Sequence, residues 1–325
     1  MCKETNIVVL MPMDDEQKVQ LMNAMPGGNF IFSSVKEINA ATIADAHIII
    51  GNPTIEMAKE ARNLKWLQLN SAGADSFVKE GVLKEGVILT NATGAYGLAI
   101  SEHMIGVLLE IFKKLHLYRD NQNNSLWKDE GEVKSIYGST VLIIGLGDIG
   151  GEFAKRIKAL GGYTIGVRRS DTNKPDYLDE LYLMDKIDEL LPRADVVALS
   201  LPNTKETYKM FSAEKFSKMK DGAVLLNVGR GTCIDTEALC DALESGKLMG
   251  SALDVTDPEP LPRDHRLWQI KNAVITPHIS GDYHLKETHN RIVRIAIENL
   301  KAFAENKEMR NLVDFSTGYK SKGSK

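Results

Sequence analysis

A β-branched run that breaks into glycines leaves few folds open to this chain. It reads Thr140-Val141-Leu142-Ile143-Ile144-Gly145-Leu146-Gly147-Asp148-Ile149-Gly150-Gly151 and carries G-x-G-x-x-G. Gly145 permits a tight turn, Gly147 lets a pyrophosphate approach the backbone, and Gly150 lets the next helix pack on the strand. The helix N-terminus then offers amides to the phosphates. A glycine triplet alone also describes a flexible turn. Here Phe153, Ile157 and Leu160 follow at helical spacing and residues 163–167 supply the next strand, so the context predicts a dinucleotide site.

Around this loop the whole chain alternates. Strand patterns fall at residues 7–10, 30–32, 47–50, 66–70 and 87–90, and again at 140–144, 163–167, 196–201, 223–228, 250–255 and 273–276. Helical patterns separate them, for example at 15–24, 55–63 and 236–245. A long apolar stripe, Ile100, Met104, Val107, Leu108, Ile111, Phe112 and Leu115, stands between the two series, and a second, Ile292, Ile295, Ala296, Asn299, Leu300 and Phe303, follows them. We read these as crossings between domains. The expectation is an α/β chain of two Rossmann-like, doubly wound parallel-sheet domains. The first is discontinuous and flavodoxin-like, residues 1–98 plus 285–325; the second, 99–284, binds the dinucleotide. The tail 316–325 is expected to be disordered.

Composition narrows the function classes. Lys plus Arg number 40 and Asp plus Glu 44, a net charge of −4, which argues against nucleic acid as a partner and against an acidic disordered chain. No apolar run is long enough to span a membrane, and residues 7–10, followed by Asp14, Asp15 and Glu16, are too short for a secretion signal. Cys2, Cys233 and Cys240 are odd in number and scattered, without C-x-x-C, which predicts a reducing, cytoplasmic setting and no structural metal.

The residues after the second strand of the dinucleotide unit bear on cofactor choice. An enzyme using NAD usually places a carboxylate there for the ribose hydroxyl. This chain has Arg168, Arg169 and Ser170, which suit a 2′-phosphate. NADP(H) is favoured; NAD(H), with Asp171 as ribose ligand one step later, is the alternative.

Three segments carry the chemistry. Arg230, in Asn227-Val228-Gly229-Arg230-Gly231, follows a strand, and its fork suits a carboxylate or a 2-keto acid. Glu259 lies in Asp254-Val255-Thr256-Asp257-Pro258-Glu259-Pro260-Leu261. Of seven histidines, His278 is singled out, because Thr276-Pro277-His278-Ile279-Ser280-Gly281 closes the last strand of the same sheet. A carboxylate beside it would orient the imidazole and favour its charged form, as a general acid/base requires.

With these motifs together, the chain resembles the D-isomer-specific 2-hydroxyacid dehydrogenases over about residues 5–310. The resemblance implies two domains flanking a cleft and Arg230, Glu259 and His278 as the catalytic set. It implies Gly145, Gly147, Asp148, Ile149, Gly150, Arg168, Arg169, Ser170, Leu201, Pro202, Thr207, Val228, Gly229, Arg230, Asp254, His278 and Gly281 at the cofactor, Asp254 bonding the nicotinamide carboxamide. Ser71, Ala72, Gly73 and Ala74 would offer amides to the substrate carboxylate, together with Arg230 and His278; read as residues alone, they are equally a glycine turn. Residues 91–96 resemble a hinge. Ser101-Glu102-His103 opens the interdomain helix and is expected to be structural or at the cleft edge.

The implied reaction is reduction of a small 2-keto acid, glyoxylate or hydroxypyruvate first, with protonated His278 as general acid. Oxidation of a D-2-hydroxy acid such as phosphoglycerate is the alternative. Formate oxidation is disfavoured, because formate enzymes of the superfamily carry Gln where Glu259 stands. A dinucleotide-sensing binding module of the corepressor kind is the rival from another class. An L-specific dehydrogenase on one Rossmann domain would leave the first strand series unexplained. The family is usually homodimeric. Trp127, in the polar loop 121–133, would either reach a partner's cleft or pack its own loop.

Overall fold

The computed structural model describes residues 5–170 and 173–315. The chain divides into two units, Met1–Tyr96 with Tyr283–Lys325, and Gly97–Asp282. These bounds fall slightly ahead of the expected 98/99 and 284/285. Asp171 and the tail 316–325 lie outside the described residues.

The first unit is a five-stranded parallel sheet: β1 (Asn6–Val9), β2 (Asn29–Phe32), β3 (Ile48–Ile50), β4 (Trp66–Gln68) and β5 (Ile88–Thr90), in the order β2-β1-β3-β4-β5. Ile48, Ile49 and Ile50 are fully buried, as a central parallel strand covered on both faces requires. The intervening helices start on side-chain caps. Asp14 and Gln17 form a reciprocal capping box on α1 (Asp15–Ala24), Asn39 caps α2 (Ala40–Ala44) and Thr54 caps α3 (Ile55–Glu60). The C-terminal helix Lys286–Ala304 belongs to this unit and buries Ile292, Val293, Ile295, Ala296 and Leu300. Its Asn299 is also fully buried. Trp66 Nε1 donates to Thr90 Oγ1 at 2.8 Å, Thr90 donates to Gln68 Oε1 at 2.8 Å, and Asn299 Nδ2 donates to the same oxygen at 2.7 Å. Trp66, Thr90, Gln68 and Asn299 thus partner one another, as buried polar groups must away from water.

The second unit begins with α4 (Gly97–Phe112) and α5 (Leu115–Asn123). The stripe expected to run through Leu115 stops at Phe112. Lys114 takes a positive φ of 57°, the helix breaks, and Leu115 opens the next helix largely exposed. Its sheet comprises β6 (Thr140–Ile144), β7 (Tyr163–Arg168), β8 (Glu180–Leu183), β9 (Val196–Leu199), β10 (Ala223–Asn227), β11 (Leu248–Leu253) and β12 (Ala273–Ile275). All pairs are parallel, in the order β12-β11-β10-β9-β6-β7-β8. The sequence pattern gave six strands; the seventh, β8, is a half-exposed edge paired only with β7, and its short Leu181-Tyr182-Leu183 run sits among acidic residues. Helices α6 (Asp148–Ala159), α7 (Ile187–Leu190), α8 (Ala213–Lys218) and α9 (Thr236–Glu244) connect the strands. The chain runs outward from β6 to β8, returns to β9 beside β6, and runs outward again to β12. That reversal between β6 and β9 is where such sheets open a crevice for ligands at the carboxyl ends of their strands. No helix among the described residues is long and apolar enough to cross a membrane.

Candidate functional site

The glycine loop joins β6 to α6, and two of its glycines answer a steric demand. A Cβ on Gly145, at φ +99°, would lie 2.6 Å from the Ser200 carbonyl oxygen; one on Gly150 would lie 1.9 Å from the Gly145 carbonyl oxygen. Gly147 differs: nothing lies within 4 Å of the position its Cβ would take, so its backbone borders open space. Gly147 is also the cap of α6 and brings no side-chain bond to the helix amides. An open cradle lined by uncapped amides fits a dinucleotide's pyrophosphate. Ile149 is half-buried beside it. Ser200, at the end of β9, donates to the Gly145 carbonyl at 2.7 Å and fixes the loop from across the switch point.

Asp148 would bring negative charge to a phosphate site, but its carboxylate is turned away. It accepts from the Gly97 amide at 2.8 Å and thus caps α4 from another helix. Leu201 is buried and Pro202 follows it. Thr207 is buried with its hydroxyl donated to the Pro202 carbonyl at 2.7 Å, so it holds this loop from within.

At the end of β7, Arg168 and Arg169 part company. Arg168 is half-buried; its Nη2 donates to the Asn173 carbonyl at 3.0 Å and its Nε is buried without a bond. Arg169 and Ser170 are exposed.

The other half of the sheet carries the ionisable groups, each past the carboxyl end of its strand. Arg230 follows β10, Asp254 and Glu259 follow β11, and His278 follows β12, three adjacent strands. Val228 is buried; Gly229 is required because a Cβ there would meet the Leu201 carbonyl oxygen at 2.5 Å. The fully buried Asn227 shapes the turn that presents Arg230: its Oδ1 accepts from the Gly229 amide at 3.0 Å and its Nδ2 donates to the Arg230 carbonyl at 3.0 Å. Arg230 Nη1 donates to the Gly229 carbonyl at 2.7 Å.

His278 Nδ1 lies 2.6 Å from Glu259 Oε1, and both side chains are about half exposed. A carboxylate only accepts, so Nδ1 carries the proton and Nε2 is the nitrogen that can exchange one with a ligand. His278 has φ 54°, a left-handed conformation that a side chain seldom takes. Its amide donates to the Asp254 carbonyl at 2.8 Å and the Thr276 carbonyl at 3.0 Å. Asp254 itself, 3% exposed, takes Thr276 Oγ1 at 2.6 Å and the Ile279 amide at 3.0 Å on one oxygen, and the amide and hydroxyl of Ser280 on the other. Burial pushes its carboxyl up, but the bonds from Ser280, Thr276 and the two amides outweigh it and hold the group below the usual carboxylate range. Both oxygens serve the turn that carries His278 and leads into Gly281, where the resemblance implied a bond to a carboxamide.

In the first unit, residues 71–74 follow β4. Ser71 Oγ donates to the Gly73 carbonyl at 2.8 Å, and Asn91 Nδ2 donates to the Ala72 carbonyl at 2.7 Å. The amides of Ala72, Gly73 and Ala74 take no part in these bonds. Asn70, just before, is held by the hydroxyls of Tyr96 and Tyr283.

Sequence reading gave no individual role to Asn227, Ser200, Thr276, Ser280, Asn91 or Asn70, though most of them lie in the motifs it quoted. All are small polar residues at the carboxyl end of a strand or in the turn after it, and that position is the signal that could have found them.

These parts define a dinucleotide-dependent oxidoreductase: a pyrophosphate cradle on one half of a Rossmann sheet and an acid–base pair with an arginine on the other. The chain belongs to the D-isomer specific 2-hydroxyacid dehydrogenase family, whose NAD-binding domain model matches residues 105–280. A protein of Corynebacterium melassecola, described as lying in the proB 3′ region, is 37% identical over 85% of this chain and 91% of its own. A glyoxylate reductase of Thermofilum pendens is 33% identical over 76% of this chain and 74% of its own. A solved family member from Aeromonas salmonicida subsp. salmonicida superposes with a TM-score of 0.86 at 31% identity, covering 96% of this chain and all of the other. Family members are NAD(P)-dependent oxidoreductases acting on CH–OH donors, and D-2-hydroxyacid dehydrogenase activity is the function this membership supports.

Proposed function

We propose that this enzyme reduces a small 2-keto acid of the glyoxylate or hydroxypyruvate kind with NADPH, and that His278 is its general acid. The observation that carries this reading is the 2.6 Å His278–Glu259 pair beyond β12, two strands from Arg230. When bound, the reduced nicotinamide supplies hydride to the carbonyl carbon. Gly145, Gly147 and Gly150 with the first amides of α6 would hold its pyrophosphate; Leu201, Pro202, Val228 and Gly229 line the loops nearby. His278 donates its Nε2 proton to the carbonyl oxygen while Glu259 holds the resulting imidazole in one tautomer. Arg230 binds the carboxylate and stabilises charge developing on that oxygen. By the family resemblance alone, Ser71, Ala72, Gly73 and Ala74 of the first unit are proposed to offer amides to a carboxylate.

The test is a panel of 2-keto acids with NADPH and NADH, run on the wild type and His278→Gln. Glyoxylate or hydroxypyruvate should lead the panel, and the variant should lose at least about 10²-fold in kcat. Preference for 3-phosphohydroxypyruvate would move the reading to phosphoglycerate chemistry, and tight cofactor binding without turnover would move it to a binding module.

The enzyme is further proposed to be a homodimer. Leu126, Val133 and above all the fully exposed Trp127 project from a loop anchored by Tyr118, Lys114 and Asn121, more apolar surface than a lone loop needs. A monomer in sedimentation equilibrium would overturn this. A reducing, cytoplasmic setting is also proposed, because Cys233 and Cys240, the cysteines among the described residues, are buried thiols rather than a disulfide. Recovery of a disulfide from cells lysed under alkylation would overturn that assignment.

A further inference from the structure

His103 has no part in the reaction outlined above, yet it stands beneath the turn that carries the proposed acid. It projects, half-buried, from α4, and its Nε2 lies 3.3 Å from Thr276 Oγ1. Thr276 is the first residue after β12, two before His278, and its hydroxyl also lies 2.6 Å from Asp254 Oδ1.

Proton accounting fixes the direction of these bonds. A threonine hydroxyl has one hydrogen to give, and an ionised carboxylate has none. Asp254 is held in its ionised form by its four donors, so the Thr276 proton points to it. The remaining partner of Thr276 must then be a donor, and His103 carries its proton on Nε2. We propose that His103 is a positioning residue for the general acid: its Nε2–H anchors Thr276, Thr276 completes the donor set of Asp254, and Asp254 ties down the turn that keeps His278 in its left-handed conformation facing Glu259. This assignment rests on His278 being the acid.

The chain of contacts has a chemical purpose. A left-handed histidine costs conformational energy and persists only where its surroundings over-determine it. Four donors on one buried carboxylate supply that constraint. Thr276 is the one among them reached from a different part of the fold, α4. Loss of its hydroxyl would leave a lone pair of a buried carboxylate unmet and let the turn relax. Misplacement of a reacting group by about 1 Å can cost about 10²-fold in rate, so an effect on turnover is expected without any change in what the cofactor touches.

The experiment uses the full chain in four variants, Thr276→Val, Thr276→Ser, His103→Gln and His103→Leu, with His278→Gln alongside. Thr276→Val should lose about 10-fold or more in kcat, with the KM for NADPH within about twofold and a larger solvent deuterium isotope effect, because proton donation has become harder. Thr276→Ser keeps the hydroxyl and His103→Gln keeps an N–H donor; both should recover most of the rate, whereas His103→Leu should resemble Thr276→Val. A readout independent of turnover is the 15N spectrum of histidine-labelled protein, in which the signal absent from His103→Gln should be that of an imidazole protonated on Nε2. An Nδ1-protonated His103, full kcat in Thr276→Val, an equal loss in Thr276→Ser, or a loss expressed in the KM for NADPH would each overturn the assignment. If instead His278→Gln turns over normally, the general-acid reading fails, a result distinct from failure at Thr276.

Discussion

The two halves of the seven-stranded sheet build their sites with a different balance of steric and polar means. On the β6–β7–β8 side the glycine loop is shaped by atoms that are missing: Gly145 and Gly150 stand where a Cβ would strike a carbonyl oxygen, and Gly147 stands where a ligand's atoms can come close. On the β10–β11–β12 side Gly229 and Gly231 answer the same steric demand, but the turns are also held by polar atoms, with Asn227 holding the Arg230 turn and Asp254 holding the His278 turn. The first half makes room for a ligand, and the second aims charged groups. A steric site tolerates almost no enlargement, whereas a bonded site tolerates any residue that keeps the donor or acceptor.

That contrast can be broken by experiment. Gly150→Ala should be the most damaging change on the cofactor side, since its methyl would sit 1.9 Å from the Gly145 carbonyl oxygen. Cofactor affinity should weaken at least about tenfold, about 1.4 kcal/mol, and the melting temperature should fall with it. Unchanged binding by isothermal titration would show that the loop is not sterically determined.

A smaller effect is expected at Arg169. The exposed Arg169, the first residue past β7, is assigned a share of the proposed contact with a 2′-phosphate. Arg169→Ala should lower the ratio of kcat/KM for NADPH over NADH by about tenfold or more, the value of a charge-assisted bond. An unmoved ratio would remove Arg169 from cofactor choice and make this end of the sheet indifferent to charge.

The smallest effect concerns the outer edge of the same half. Arg193 foremost, with Tyr182 and Tyr163 against some burial, pulls the Glu180 carboxyl on β8 down to about 2 from 4.5. A carboxylate with a depressed folded value adds stability above its unfolded value and loses it as pH falls through the folded one. Wild-type melting temperature should therefore drop between about pH 4.5 and 2, and Glu180→Gln should flatten that drop by no more than a few degrees. Identical pH profiles would show that the ion pair is fully screened at this edge.

The contrast also explains what could be read from the chain. Gly150 is dictated by the Gly145 carbonyl five residues back and Gly145 by its own positive φ as well as by distant Ser200, and the spacing of the glycines after a β-branched run announced strand, loop and helix. Arg230, Glu259 and His278 were legible because each is a reactive residue beside a strand end. Thr276 and His103 were not: they meet across 173 positions of chain, and no local pattern encodes such a meeting. Edge strand β8 was missed for another reason: its apolar run Leu181-Tyr182-Leu183 is short, lies between acidic residues, and is nowhere fully buried. The split of the first unit was legible because two long amphipathic helices flank the inserted segment; the break at Lys114 was not, since the apolar residues run through it.

The buried chain Trp66–Thr90–Gln68–Asn299 has a consequence for the order of assembly. Gln68 and Asn299 are 231 positions apart, so during synthesis the first sheet emerges long before the helix that completes its polar core. The inserted unit, Gly97–Asp282, is contiguous and can close its own contacts meanwhile. Folding is then nested: the piece made in the middle finishes first, and the piece begun first finishes last. A chain truncated before Lys286 should hold a protease-resistant second unit and a first unit that is still digestible.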